Sequence, residues 1–368
     1  MTTILRKIKN IDCSAVAAID LHHSRLTDRI IQKVSGTASP RLLSQSGQSE
    51  QSGPSALRDQ IEQAIDHLAE AVRMADSSIF VECIKRLQVW GAARRVAGTA
   101  VVQILELLRD QLAVIVDPAD ATVLVDCLNA ALATAVKRPV TSVCLIQPDQ
   151  PLGSLACEYL AALLDGRRQD AEQLVEHALQ SGTSLNDIYV YVFQEAQYEL
   201  GRLWEIDRIS VAQEHYCTAA TQFIMSQLYP RIFSGPRNGY RFVGAAVASD
   251  MHEIGIRMIA DTLELHGWVT HYLGGNVPIP DLIEILVQRR ADVLGISATI
   301  VPHIRAVEKV LVAVRQANAT RRIRVMVGGA PFNLAPDLWK KIGADGWAKS
   351  VVEVPHAALQ LVLDRRVS

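Results

Sequence analysis

Residues 241–255 read RFVGAAVASDMHEIG, and they decide the architecture of the C-terminal third of the chain. Arg241–Ala248 is a short unbroken apolar run, the mark of a strand buried on both faces. After the polar loop Asp250-Met251-His252-Glu253 the pattern turns helical, predicting a helix over Gly255–Leu265. Similar apolar runs follow at Trp268–Leu273, Asp292–Ala298, Ile323–Val327 and Gly346–Lys349. Helical stretches separate them at Pro280–Arg290, His303–Ala317 and Leu334–Ile342, and Val354–Arg365 closes the series. Alternating strands and helices predict a doubly wound parallel sheet over 235–368. Ligands in such sheets lie at the carboxyl ends of the strands.

N-terminal to this unit the period is helical. Over 152–234 helices are expected, with Thr183-Ser184-Leu185-Asn186-Asp187 as a start signal and Ser210-Val211-Ala212-Gln213 as a capping box. One helix then ends near Trp204 and the next begins near Ser210. Over 55–138, Leu57, Ile61, Ile65 and Leu68 recur at three- and four-residue spacing. Further helices are expected at Ser78–Arg95, Thr99–Val116 and Pro118–Val136, forming an N-terminal bundle. PVTSVCLIQPDQP separates the two helical units. Residues 1–54 end in a Ser-, Gln-, Gly- and Pro-rich stretch that predicts a flexible linker, with a helix of open role before it at Cys13–Val34. The fold class is thus multidomain, α plus α/β.

Composition sets limits. The 368 residues suit roughly two to three domains. A net charge of −2 argues against a chain-wide field for nucleic acid, and residues 55–138 carry 9 Lys+Arg against 11 Asp+Glu. No nucleic-acid binding is expected. No apolar run reaches the roughly 18–20 residues of a membrane span, and no signal peptide is read, so a cytoplasmic location is expected. The six cysteines are scattered without a Cys-x-x-Cys pair, which supports neither a disulfide framework nor a zinc site. Motifs for a nucleophile elbow, a P-loop and a His-Glu-x-x-His zinc site are absent.

Three features fall at strand ends: Asp250-Met251-His252-Glu253-Ile254-Gly255, then Ser297-Ala298-Thr299, then Gly328-Gly329. A neutral imidazole on a loop can coordinate a metal, and a carboxylate two residues earlier can set its tautomer. Buried hydroxyls can bond a polar ligand group, and paired glycines admit a bulky ligand close to the backbone.

Asp-x-His-x-x-Gly, Ser-x-Thr and Gly-Gly in this order resemble the cobalamin-binding domain family, a Rossmann-like fold. The resemblance implies His252 as the lower axial ligand of cobalt and Asp250 as its partner. It implies room for the nucleotide tail at Ile254-Gly255, a channel lined by Ser297 and Thr299, and packing of Gly328 and Gly329 on the tail. Upstream, Trp204 is followed after nine residues by Glu214-His215, which resembles the four-helix cap of the B12-dependent photoreceptors. There Trp204, Glu214 and His215 would enclose the upper adenosyl group of adenosylcobalamin. Two departures stand out. Glu205 occupies the position where the photoreceptor repressors carry histidine, and the first unit is not a winged helix. An added N-terminal bundle is similar to the photocobilins, which also bind a bilin such as biliverdin. Trp90, Arg94 and Arg95 could meet bilin propionates or simply form a solvated basic helix end.

The resemblance makes the expected function a cobalamin-dependent light sensor that changes oligomer state or the binding of a protein effector. The alternative is a corrinoid methyl carrier serving methyltransferases. A mutase-type subunit would need a catalytic barrel in trans, and a passive carrier would show no response to light.

Overall fold

Leu57, Ile61, Ile65 and Leu68 form one stripe of a helix, and each is at most 3% exposed. That helix belongs to a computed structural model that describes residues 14–35, 54–137, 143–232 and 236–367. The described residues fall into two compact units. The first holds those up to Val143 together with Arg202–Ser210, and the second holds Cys144–Gly201 and those from Val211 onward.

The first unit is helical: α1 (Ser14–Ser35), α2 (Pro54–Met74), α3 (Ser77–Ala93), α4 (Gly98–Ile115) and α5 (Thr122–Ala135). Asp76 starts α3 by accepting a hydrogen bond from the Ser78 backbone N–H at 3.1 Å. Asp117 caps a single 3-10 turn, Pro118–Asp120, ahead of α5. The reading of residues 1–54 as a flexible arm needs correction at 14–35. Ala15, Ile19, Ile30 and Val34 of α1 are at most 1% exposed, and α1 packs on α2 and α4. A helix with a full apolar stripe gains stability by burying it, so α1 joins the bundle. The expected linker at 36–53 lies outside the described residues.

The second unit opens with the helical cap: α6 (Gly153–Leu164), α7 (Arg168–Gln180), α8 (Glu195–Glu205, whose residues from Arg202 on fall in the first unit) and α9 (Val211–Gln227). Ahead of α8 run a turn at Leu185–Asp187, capped by Ser184, and a π-helical stretch at Ile188–Gln194. The π stretch buries Tyr189, Val192 and Phe193, and Phe193 lies 5.4 Å from Tyr159 and 5.5 Å from Tyr189 between ring centroids.

Beyond the cap, β1 (Arg241–Ala246), β2 (Val269–Tyr272), β3 (Val293–Ser297), β4 (Arg324–Gly328) and β5 (Gly346–Trp347) form a parallel sheet in the order β2-β1-β3-β4-β5. Between the strands run α10 (Ile254–Leu265), α11 (Ile279–Gln288) and α12 (Ile304–Gln316), then α13 (Ala330–Leu334) and α14 (Leu338–Ile342). The last helix, α15 (Val354–Val367), packs beside α10, and both cover the face that carries Phe242 and Ala246. The single helix expected at Leu334–Ile342 is two. Pro336 drives Ala335 out of helical geometry, to φ −123° and ψ 85°.

Phe242 is fully buried and lies across β1 and β3. A Cβ on Gly295 would come within 2.3 Å of its ring, so the glycines of these strands make its slot. Phe242→Ala is expected to cost about 3–5 kcal/mol, read as a drop in the urea midpoint. A loss under about 1 kcal/mol would show that this slot collapses freely.

Candidate functional site

The strand order reverses between β1 and β3, and at the carboxyl ends of these strands open α/β sheets take their ligands. The chain leaves β1 through Ser249 at φ 71°, whose N–H donates to Asn276 Oδ1 at 3.0 Å. This turn sends Asp250 inward, fully buried, and leaves the His252 side chain 68% exposed.

Asp250 is a hub. Its Oδ1 accepts from the His252 N–H at 3.0 Å and lies 2.8 Å from His252 Nδ1. Its Oδ2 accepts from the Thr299 N–H at 2.7 Å and lies 3.2 Å from His303 Nδ1. Burial opposes its ionisation, but the bonds from His252, His303 and the two backbone N–H groups outweigh that and hold the carboxyl well below the usual range. In return, the bond to Asp250 raises the His252 pKa against the effect of burial, with a smaller Coulombic pull from Glu214. With Nδ1–H directed at Asp250, Nε2 is the nitrogen left to meet a metal. Among the described residues no group of three or more His, Cys, Asp or Glu could hold a metal ion.

The remaining motif residues line up beside this pair. Ser297 and Gly328 are register partners on β3 and β4. Ser297 Oγ is buried and finds no hydrogen-bond partner, and a Cβ on Gly328 would meet only the Ala348 carbonyl oxygen at 3.7 Å. A Cβ on Gly255, at the start of α10, would meet nothing within 4 Å. An orphaned hydroxyl and unfilled space beside two glycines fit a cofactor tail that carries hydrogen-bonding groups. Ile254 is buried at the head of α10. Two of the motif residues also shape the backbone. Thr299 holds Asp250 through its backbone N–H. Gly329, at φ 105°, lets the chain pass Ala298, whose carbonyl oxygen a Cβ would approach to 2.0 Å.

The upstream trio is divided between the units. Trp204 is the penultimate residue of α8 and is 37% exposed within the first unit's segment Arg202–Ser210. Glu214 and His215 sit in the first turn of α9 in the second unit. Glu214 accepts from Thr218 Oγ1 at 2.8 Å and lies 3.6 Å from His215, whose side chain is 74% exposed. The proposed bilin cluster is otherwise engaged. Arg94 stacks on Trp90 at 4.7 Å, donates to the Glu205 carbonyl at 2.8 Å and lies 3.8 Å from Asp207. Arg86 donates to the Glu205 carboxylate at 2.9 Å. These arginines hold Glu205–Asp207 to the bundle.

Sequence reasoning missed His303, Glu253 and Gln222. His303 lies six residues beyond Ser297, across a 3-10 turn at Val301–His303, and no motif announces it. Where the cap meets the sheet domain, Gln222 Nε2 donates to Glu253 Oε1 at 2.8 Å. Nearby, Tyr189 donates to Asp261 at 2.9 Å, and Arg257 donates to the Gln222 carbonyl at 3.1 Å and to Ser226 Oγ at 2.8 Å. Burial pushes the Asp261 carboxyl up to about 6, against the pull of Tyr189 and Arg257. The folded state then holds its proton more tightly than the unfolded chain, so stability falls as pH rises from about 4 to about 6. The loss is about 3 kcal/mol. Asp261→Asn is expected to remove this loss and to raise stability above pH 6, measured by urea unfolding across pH. An unchanged pH profile would show that Asp261 is ionised in the fold.

Comparison with known proteins follows the same lines. A B12 binding domain model matches residues 240–355, and a second B12 binding domain model matches residues 155–229. The dimethylamine corrinoid protein of Methanosarcina barkeri is 28% identical over 194 residues, 52% of this chain and 84% of that protein. Dimethylamine corrinoid protein 3 of Methanosarcina mazei is 31% identical over 121 residues, 33% of this chain and 71% of that protein. The chain belongs to the cobalamin-binding family. Among solved structures, the monomethylamine corrinoid protein of Methanosarcina barkeri matches with a TM-score of 0.51 at 20% identity, over 57% of this chain and 99% of that one, a likeness of fold. Both B12 models leave the first bundle outside their matched residues. The relatives also correct the expected function. They are corrinoid proteins, and they overturn the light-sensor reading in favour of its alternative. No helix of the described residues is long and apolar enough to cross a membrane.

Proposed function

We propose that this chain is a corrinoid protein that carries a methyl group between methyltransferase partners. The observation that carries the reading is the buried, ionised Asp250 fixed on His252 at the switch point, in a chain whose relatives are dimethylamine corrinoid proteins. Bound cobalamin would supply a cobalt centre able to accept and release a methyl group. His252 would ligate it through Nε2, with Asp250 holding the imidazole's other nitrogen. Thr299 and His303 would keep the Asp250 carboxylate in place. Ser297, Gly328 and Gly255 would take the tail. Glu214 and His215, near the start of cap helix α9, would shelter the methyl group from water between transfers.

The test loads the full chain with hydroxocobalamin, reduces it and methylates it with methyl iodide. Addition of a corrinoid:thiol methyltransferase and thiol is expected to move about one methyl group per chain to the thiol, with His252→Ala transferring far less. Retention of the methyl group by the wild type, or equal transfer by His252→Ala, would overturn the proposal.

A further inference from the structure

Glu253 follows the proposed ligand His252 directly, stands at the N-cap of α10, and uses both carboxylate oxygens away from its own helix. Oε1 accepts from Gln222 Nε2 of cap helix α9 at 2.8 Å, and Oε2 accepts from the Gly275 N–H at 3.0 Å. Gly275 in turn lies against Asp250, since a Cβ there would approach the Asp250 carbonyl oxygen to 2.7 Å. Its neighbour Asn276 receives the Ser249 N–H. The loop that carries Asp250 and His252 is thus braced from the side by 274–276, and that brace is fixed by Glu253. On the cap side, Gln222 is held twice, its amide by Glu253 and its carbonyl by Arg257 one turn along α10.

We propose that Glu253 is a positioning residue that couples the placement of cap helix α9 to the ligation of cobalt by His252. The inference rests on the reading of His252 as the lower ligand. One carboxylate joins the cap to the brace behind Asp250, so displacing α9 removes a hydrogen bond from the group that keeps the loop in register. A carrier that exposes its upper face to partners by moving the cap would then loosen its lower ligand in the same motion.

The experiment uses the full chain loaded with cobalamin and reduced to cobalt(II), with the nitrogen splitting in its electron paramagnetic resonance spectrum reporting His252. His252→Ala should abolish the splitting. Glu253→Ala and Gln222→Ala should each raise the ratio of unligated to ligated cobalt about tenfold, as expected for one lost charge-assisted hydrogen bond. Glu253→Gln, which keeps an acceptor for Gly275 and can pair with the Gln222 amide, should stay near the wild type. Wild-type splitting in both Glu253→Ala and Gln222→Ala overturns the proposal. A shift in Glu253→Ala with none in Gln222→Ala overturns the coupling to the cap and leaves only a local brace. Should Glu253→Ala fail to hold cobalamin, Gln222→Ala decides alone. Splitting that survives His252→Ala overturns the underlying ligand assignment, a result distinct from the others.

Discussion

Asp250→Ala is expected to weaken cobalamin binding by about 10–100-fold, the usual cost of losing the partner that orients a metal-bound histidine. The carboxylate is fully buried and serves the His252 side chain, the His252 and Thr299 N–H groups and His303 together. Its removal frees the imidazole to rotate and leaves two part-buried N–H groups without their acceptor, so both the ligand and the loop lose definition. The measurement is equilibrium binding of cobalamin to the purified variant, with stability recorded in parallel. Affinity within about twofold of the wild type would show that His252 is oriented without it.

Two adjacent glycines should respond in opposite ways. Gly328→Leu fills space that a Cβ enters freely, beside the orphaned Ser297 hydroxyl. The fold should persist while cobalamin affinity falls about 100-fold, the upper range for overpacking a site. Gly329→Ala meets the Ala298 carbonyl oxygen at 2.0 Å and forces a side chain onto φ 105°, so it should cost about 3 kcal/mol or more of stability. Thermal unfolding and cobalamin retention of both variants decide the point. If Gly328→Leu binds cobalamin normally, the channel lies elsewhere.

The sheet was legible because β1, β3 and β4 are buried on both faces and read as unbroken apolar runs, and the ligand loop was legible because Asp250 and His252 are close in sequence. The contacts that organise the site were not. Thr299 and His303 reach Asp250 from 49 and 53 residues away, and Gln222 reaches Glu253 from 31, so only folding brings them together. The π stretch at Ile188–Gln194 was hidden because its apolar residues also satisfy an ordinary helical period. The helical reading of Cys13–Val34 was close to α1, yet its membership of the bundle depended on α2 and α4. Trp204, Glu214 and His215 share their pattern with light sensors, and three residues at that spacing do not distinguish a light sensor from a methyl carrier. The dimethylamine corrinoid proteins carry the comparison instead.

The most direct measurement is the absorption spectrum of methylcobalamin held by the full chain after gel filtration, set against His252→Ala. About one cobalamin per chain is expected, with a histidine-ligated spectrum in the wild type and a base-off spectrum in the variant. Failure to retain cobalamin, or identical spectra in the two proteins, would contradict it.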